Sequence, residues 1–362
     1  MSHCEKQMIS FFITTNCNLD CIYCYTNKKE GQHKNQTLDF EFAKAGIDDY
    51  FSSGYAKHVR FQGAGEPTTN IELVKKILAY AKSLAPTEVT SEVQTNNCFS
   101  PEVATWMANN IDNIWASCDG LPEIQNYNRP FLNGGGSAAI FERNIKYLVA
   151  NTRGMVGIRS TITSQNNHLQ KECVDYYNSL GIKYIWVDPI FPVVGQQTVS
   201  DPLDMMDFAK NFLEALNYAE SLGIEYRSIL TCNFDKKSIY ACRACLPVPH
   251  LTTDGYVSAC DMALYGNDKG NMDLFYYGKW DCETKKINYD QNKIAKIRER
   301  KVDNIDHCQN CIAKYYCCGY CPGEVLNETL DYFGQKKNVC QAVRWLFVNM
   351  TDKQKKYTYS HP

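Results

Sequence analysis

Over the first 230 residues, short runs rich in β-branched and aromatic residues alternate with longer stretches in which apolar positions recur every three or four residues. The strand-like runs are "SFFIT" (Ser10 to Thr14), "HVRFQG" (His58 to Gly63), "SEVQT" (Ser91 to Thr95), "NIWAS" (Asn113 to Ser117), "GIRSTIT" (Gly157 to Thr163) and "YIWVDP" (Tyr184 to Pro189). Between them, "DFEFAKAGIDDYFSS", "IELVKKILAYAKSL", "SPEVATWMANN" and "AIFERNIKYLVAN" read as amphipathic helices, and "PLDMMDFAKNFLEALNYAESLG" as a long closing one. Six β/α repeats with short connections predict an α/β fold with a parallel sheet and right-handed crossovers. Ligands on such a sheet belong in the loops after the strands. Every unusual motif falls there: the cysteines from Cys17 to Cys24 follow the first run, "GAGEP" the second, "TNN" the third and "SCDG" the fourth.

Composition narrows the class. At 362 residues and 44% hydrophobic, the chain can bury one large domain and a smaller one. Its formal charge of −2 gives no reason to expect nucleic acid or an anionic membrane as partner. No apolar run approaches a membrane span, and the start lacks a signal-peptide pattern, so a cytoplasmic protein is expected. Eighteen cysteines are then anomalous, because a reducing compartment disfavours disulfides. Eleven of them lie between Cys232 and Cys340. That shift divides the chain into residues 1–230, a metal-rich module at 231–345 and a tail at 346–362.

In "TTNCNLDCIYCYTN", Cys17, Cys21 and Cys24 are close enough to hold an iron–sulfur cluster, which normally takes four cysteines. A zinc knuckle completed by His33, or three buried apolar cysteines, are the plainer readings. The spacing, with Tyr23 before the last cysteine, resembles the signature of the radical S-adenosylmethionine (SAM) superfamily. The resemblance implies a [4Fe–4S] cluster whose open iron binds SAM, and cleavage of SAM to a 5′-deoxyadenosyl radical that abstracts hydrogen from unactivated carbon. It also places Tyr23 among the cofactor contacts.

"FQGAGEPTTN" is similar to that family's Gly-Gly-Glu-Pro motif, with Ala64 in place of the first Gly. By that match the Gly65 backbone and the Glu66 carboxylate receive the SAM ammonium. "ASCDGLPEIQNYNR" resembles a Ser-x-Asp-Gly…Arg segment of peptide-modifying members, which assigns Ser117 and Arg129 to SAM polar groups. "QTNN" resembles Thr-Asn-Gly, with Asn96 at the Asn position and Asn97 replacing Gly, a substitution that the left-handed tolerance of Asn allows. Arg159 and the "VDPI" segment ending at Ile190 are further pocket candidates.

Downstream, "CRACLPVPHLTTDGYVSAC" supplies Cys242, Cys245, Gly255 and Cys260, and "CQNCIAKYYCCGYC" supplies Cys308, Cys311, Cys317 and Cys321, followed by Cys340. Two CxxC pairs alone favour structural zinc. Behind a radical SAM signature, the whole pattern resembles the SPASM domain. The fold implied is a partial (β/α)6 TIM barrel with a C-terminal cysteine-rich domain holding two auxiliary clusters. The resemblance assigns Cys242, Cys245, Cys260 and Cys321 to the first, and Cys308, Cys311, Cys317 and Cys340 to the second. Three [4Fe–4S] clusters and SAM are thus the expected cofactors. Of the seven other cysteines (Cys4, Cys98, Cys118, Cys173, Cys232, Cys282 and Cys318), most are expected to be buried, with Cys318 a candidate hydrogen donor or substitute ligand. Asp261 stands where sulfatase-maturing relatives carry a catalytic base; a carboxylate bonded to nearby backbone is the alternative.

The expected function is hydrogen abstraction from a peptide or protein residue, giving a cross-link, thioether, oxidised residue or epimer. Formylglycine formation from Ser or Cys and small-molecule dehydrogenation are alternatives on the same scaffold, and a zinc-stabilised binding module is an alternative of another class. Expected partners are the peptide or protein substrate and a flavodoxin- or ferredoxin-type electron donor. Since only sixteen residues precede Cys17, a leader-peptide-binding protein is expected to be separate.

Overall fold

All six predicted strands form, and they lie side by side in chain order. The computed structural model describes residues 7–26, 35–193 and 202–356. Strands β1 (Ile9–Phe12), β2 (His58–Gln62), β3 (Thr90–Thr95), β4 (Asn113–Ser117), β5 (Met155–Ile162) and β6 (Tyr184–Pro189) pair parallel with their neighbours, and a short β7 (Glu225–Arg227) continues the series. The result is an α/β architecture, a partial (β/α)6 barrel. Helices α1 (Phe40–Ser52), α2 (Ile71–Leu84), α3 (Pro101–Asn110), α4 (Pro122–Asn128), α5 (Ala138–Asn151), α6 (Gln170–Ser179) and α7 (Met205–Ser221) fill the connections.

The helices begin where capping chemistry places them. Asp39 accepts from the Phe42 N–H at 2.9 Å, Ser100 caps α3 just before Pro101, and Asp204 accepts from Met206 and Asp207. In α1 the buried positions Phe42, Ala43, Gly46, Ile47 and Tyr50 form one stripe. Two helices go beyond the pattern. α4 is short, and α6 ("QKECVDYYNS") is too polar to show a continuous apolar stripe although Cys173, Val174 and Tyr177 are buried.

The sheet continues past the compositional boundary at 230. β8 (His250–Leu251) pairs parallel with the other edge of β1, matching Ser10 with His250 and Phe11 with Leu251. β9 (Tyr256–Ser258), β10 (Tyr276–Asp281) and β11 (Lys286–Tyr289) follow as antiparallel neighbours, giving one eleven-stranded sheet. Helices α8 (Gln291–Arg298), α9 (Lys314–Cys317), α10 (Pro322–Thr329) and α11 (Lys337–Asn349) complete the described chain. α11 runs unbroken across residue 345 and packs on α7, while Arg227 donates to the Gln354 carbonyl at 2.5 Å. Among the described residues no helix is long and apolar enough to cross a membrane.

Phe42 shows how the two ends of the chain share a core. Its ring is fully buried and lies 5.5 Å from that of Trp280 on β10. Phe42→Ala is expected to destabilise the protein by about 3–5 kcal/mol in urea unfolding. Val348→Ala, at a position 64% exposed, is expected to change stability by less than about 0.5 kcal/mol.

Candidate active site

Parallel strands buried on both faces are usually apolar throughout, and several of these strands depart from that rule at alternate positions. Arg60 and Gln62 on β2, Gln94 on β3, Arg159 and Thr161 on β5, and Asp188 on β6 line a cavity of about 350 Å³. Cys21, Tyr23 and Cys24 stand on one wall, and Cys242, Cys260 and Cys321 on another, with Ser117, Arg129 and Asp261 also at its surface. Two cysteine clusters far apart in sequence therefore face one space.

The first cysteine loop is tied to the "GAGEP" loop. Gly65 N–H donates to the Thr14 carbonyl at 2.9 Å and Glu66 N–H to that of Asn16 at 2.7 Å. A Cβ on Gly65 would lie 2.2 Å from the Asn16 carbonyl oxygen, so only glycine permits this approach. Glu66 itself points inward. Its carboxylate accepts from the Thr68 N–H (3.0 Å) and hydroxyl (2.7 Å), the Thr95 hydroxyl (2.7 Å) and the Asn96 N–H (2.6 Å). Burial pushes the Glu66 carboxyl up in spite of these donors. Asn97 adopts φ +62°, the left-handed turn expected of it, and Asn96 Nδ2 lies 3.9 Å from Cys17 Sγ.

Asp119, with no exposed surface, gathers the opposite wall. It accepts from the Tyr23 hydroxyl, from Asn128 Nδ2 (3.2 Å), from Arg129 Nη2 (3.1 Å) and from the Thr161 N–H (3.0 Å). The Arg129 guanidinium stacks over the Tyr23 ring at 5.3 Å, and its buried Nε has no hydrogen-bond partner among the described residues. A buried guanidinium with an unmatched N–H fits a carboxylate ligand.

Asp261 is the other charged centre, its side chain 41% exposed to the cavity. Arg60 pairs with Oδ1, Gln62 Nε2 donates to the same oxygen at 2.8 Å, and Arg243 approaches Oδ2 at 3.4 Å. His250 Nδ1 faces the carbonyls of Val248 (2.8 Å) and Ser258 (3.2 Å), which only accept, so Nδ1 carries hydrogen. Its Nε2 lies 2.8 Å from Asp261 Oδ1, and burial pulls the imidazole pKa down in spite of that carboxylate. Burial works against ionisation of Asp261, but Arg60 and His250 outweigh it and hold the carboxyl well below the usual range.

The cysteine pairs share one local geometry. Cys24 N–H bonds to the Cys21 carbonyl at 3.0 Å, Cys245 to Cys242 at 3.0 Å and Cys311 to Cys308 at 3.1 Å, so each CxxC is a turn that brings its thiols together. A chamber of about 130 Å³ bordered by Cys242 and Cys321 also reaches Cys317. Cys308, Cys311, Cys317 and Cys340 ring a hollow of about 20 Å³. Burial raises Cys17, Cys21 and Cys317 each to about 12, the response of thiols that need a cation to become ligands. Among the described residues no three His, Cys, Asp or Glu side chains converge as the ligands of a single metal ion do. Cys242 and Cys321 border both larger spaces, of about 350 and 130 Å³, and the second set of four rings the small one.

His33 and Cys4 lie outside the described residues. Cys98, Cys118, Cys173 and Cys318 are buried as expected, whereas Cys232 is half-buried and Cys282 exposed, the latter in the hairpin turn between β10 and β11. Cys318 Sγ donates to the Ser238 carbonyl at 3.0 Å. Of the other predicted site residues, Gly65, Glu66, Asn96 and Cys17 are not among the residues lining the cavity of about 350 Å³. Ile190 is buried beside Ile162, its N–H donating to that residue's carbonyl at 2.9 Å, and Cys245 is fully enclosed. Asp188 lies in the segment ending at Ile190, a pocket candidate, whereas Arg60, Gln62, Gln94, Arg243 and His250 were not anticipated. For Arg60, Gln62 and Gln94 the signal was the polar residue at every second position of β2 and β3.

A barrel of parallel strands with three cysteines after the first, and a cysteine-rich extension facing them, defines a class. The profile of the Radical SAM superfamily matches residues 11–209, more than half of the chain, which therefore belongs to that superfamily. Membership implies a [4Fe–4S] cluster and SAM. An uncharacterized protein of Methanocaldococcus jannaschii is 31% identical over 182 residues, covering 50% of this chain and 61% of its own. The Fe-coproporphyrin III synthase of Methanosarcina barkeri is 31% identical over 169 residues, covering 45% and 38%. The chain thus spans less than two thirds of either relative.

Among solved structures, anSMEcpe with bound AdoMet superposes with a TM-score of 0.77 at 17% identity, covering 94% of this chain and 96% of its own. Streptococcus suis SuiB bound to the precursor peptide SuiA gives 0.67 at 16%, covering 93% and 76%. The shared architecture is a radical SAM domain followed by a C-terminal extension, which is cysteine-rich in this chain.

Two substitutions test this wall. Asp119→Asn leaves Arg129 buried without a counter-charge and is expected to cost about 3–5 kcal/mol in urea unfolding; a variant as stable as the parent would show that Asp119 does not hold Arg129. Gly65→Ala is expected to shift the loop before Cys17 and abolish 5′-deoxyadenosine formation from SAM, measured by chromatography, while far-ultraviolet circular dichroism stays unchanged.

Proposed function

We propose that this chain is a radical SAM/SPASM maturase that removes a hydrogen atom from a residue of a peptide or protein. The observation that carries the reading is the single cavity with Cys21 and Cys24 on one wall and Cys242, Cys260 and Cys321 on another. Such a cavity holds a substrate between two redox centres. In this reading Cys17, Cys21 and Cys24 hold the SAM-binding cluster, and the two downstream sets of four hold auxiliary [4Fe–4S] clusters. When bound and reduced, the first cluster and SAM supply a 5′-deoxyadenosyl radical.

The chain's own residues do the remainder. Arg129 offers its unmatched Nε to the SAM carboxylate, Ser117 and the Gly65 backbone supply neighbouring polar contacts, and Tyr23 holds Arg129 in place through Asp119 and its own ring. Glu66 organises the Thr68, Thr95 and Asn96 turns behind the cofactor. Arg159, paired with Asp188 at 3.1 Å and 5.3 Å from the Trp186 ring, closes the far side. Asp261 presents Oδ2 as proton acceptor. A base of such low proton affinity suits a proton whose acidity rises as an electron leaves the same group.

The peptide class is supported by the broad match to SuiB, solved with its precursor peptide, and to anSMEcpe, which was also solved with the Cp18Cys peptide at a TM-score of 0.74. The modification proposed is a cross-link, thioether, oxidation or epimerisation. The coproporphyrin relative favours a second reading, a small-molecule substrate on the same scaffold.

Anaerobic reconstitution is expected to give a brown protein with about twelve irons, four per cluster. Changing Cys17, Cys21 and Cys24 to Ala is expected to remove all 5′-deoxyadenosine formation and about four of those irons. Deuterium carried from a labelled peptide into 5′-deoxyadenosine identifies the substrate class. Transfer from a labelled porphyrin, with none from any peptide, would establish the second reading instead.

A further inference from the structure

Arg300 is fully buried, one of the largest side chains in the protein without exposed surface. The partners of its guanidinium are neutral: carbonyl oxygens and the ring of Tyr332, 5.6 Å away. Nε donates to Tyr332 at 2.6 Å, Nη2 to Gly319 at 2.8 Å, and Nη1 to Tyr320 at 3.2 Å and more weakly to Cys318 at 3.5 Å. Among the described residues no carboxylate lies within ion-pair distance of it. Buried charges are ordinarily paired or bound to a metal centre, so this cation lacks the partner its environment requires.

Its position shows where that partner belongs. Cys318, Gly319 and Tyr320 are three consecutive left-handed residues, with φ of +54°, +81° and +66°. Two of them are not glycine, and such a run persists only when surrounding contacts impose it. A Cβ on Gly319 would meet Ile305 Cδ1 at 2.5 Å and Arg300 Nη2 at 3.3 Å, so the turn is closed down onto the guanidinium. The turn joins Cys317, a member of the second thiol set, to Cys321, a member of the first.

We propose that Arg300 is the shared counter-charge of the two auxiliary iron–sulfur centres, holding both reduction potentials up and fixing the turn that spaces their ligands. The inference rests on the reading that both thiol sets carry clusters, because a cubane held by four thiolates is a net anion and its potential follows the charge around it. Arg300 touches no substrate and is a positioning residue. The pairing is mutual: the centres neutralise a cation that is otherwise uncompensated.

The test uses the full chain with Cys17, Cys21 and Cys24 changed to Ala, so that only the auxiliary centres respond. Iron content and potentiometric titration followed by electron paramagnetic resonance are compared for this parent and for Arg300→Gln and Arg300→Lys in it. About eight irons are expected in the parent; about four or none would overturn the two-cluster reading itself, and the counter-charge with it. With eight irons present, Arg300→Gln is expected to move both midpoint potentials to more negative values, and Arg300→Lys to leave both near the parent's. Unmoved potentials in Arg300→Gln, or movement of only one, would overturn the shared counter-charge alone. Should Arg300→Gln not load, Arg300→Lys decides: held potentials support the proposal, and a fall at retained charge overturns it.

Discussion

One polar row across the sheet ties the two halves of this protein together. His250 on β8, Ser10 on β1, Arg60 on β2 and Glu92 on β3 are register partners, all buried. Arg60 Nε donates to Ser10 Oγ at 3.0 Å, and both Arg60 and His250 turn to Asp261. Removing a guanidinium from water is expensive, and the carboxylate that offsets it comes from the residue after Cys260. Satisfying the charge on β2 therefore draws a C-terminal thiol towards the N-terminal thiols. The electrostatics of the core and the geometry of the site are one constraint.

That constraint explains what could be read in advance. Strands such as "NIWAS" and "YIWVDP", and the helix "IELVKKILAYAKSL", have the residue bounds that their apolar periodicity predicts. The motif loops fall on one side because parallel topology leaves them no other place. The convergence of Cys21, Cys24, Ser117 and Arg129 was legible for the same reason. β8 to β11 were not. Two-residue and three-residue strands carry too little pattern to identify, and they form because β1 offers an open edge to pair with. Nor was the cage around Asp261, which joins residues about 200 positions apart.

Glu66 illustrates a different limit. A carboxylate in a loop above a sheet looks like a ligand for an ammonium group, and composition has no means of showing which way it turns. Four hydroxyl and amide donors, two from Thr68 and one each from Thr95 and Asn96, meet it in this structure. A motif residue can thus serve a site by setting the backbone that serves it. Asp119 does the same from the opposite wall, joining a residue of the cysteine loop to Arg129 and to β5. The cavity is shaped largely by side chains that do not face it.

The pairing of β1 with β8 also has a consequence for synthesis. Strand β1 leaves the ribosome well before its second neighbour, which emerges about 240 residues later. At about 5–20 residues per second, the interval is about 12–48 seconds. During that time one edge of β1 offers unpaired backbone groups, a template for pairing with other chains. The first three cysteines wait beside it, still without the wall that will face them. The order of translation thus makes the completed sheet, rather than the completed cysteine motif, the earliest point at which this site is sheltered.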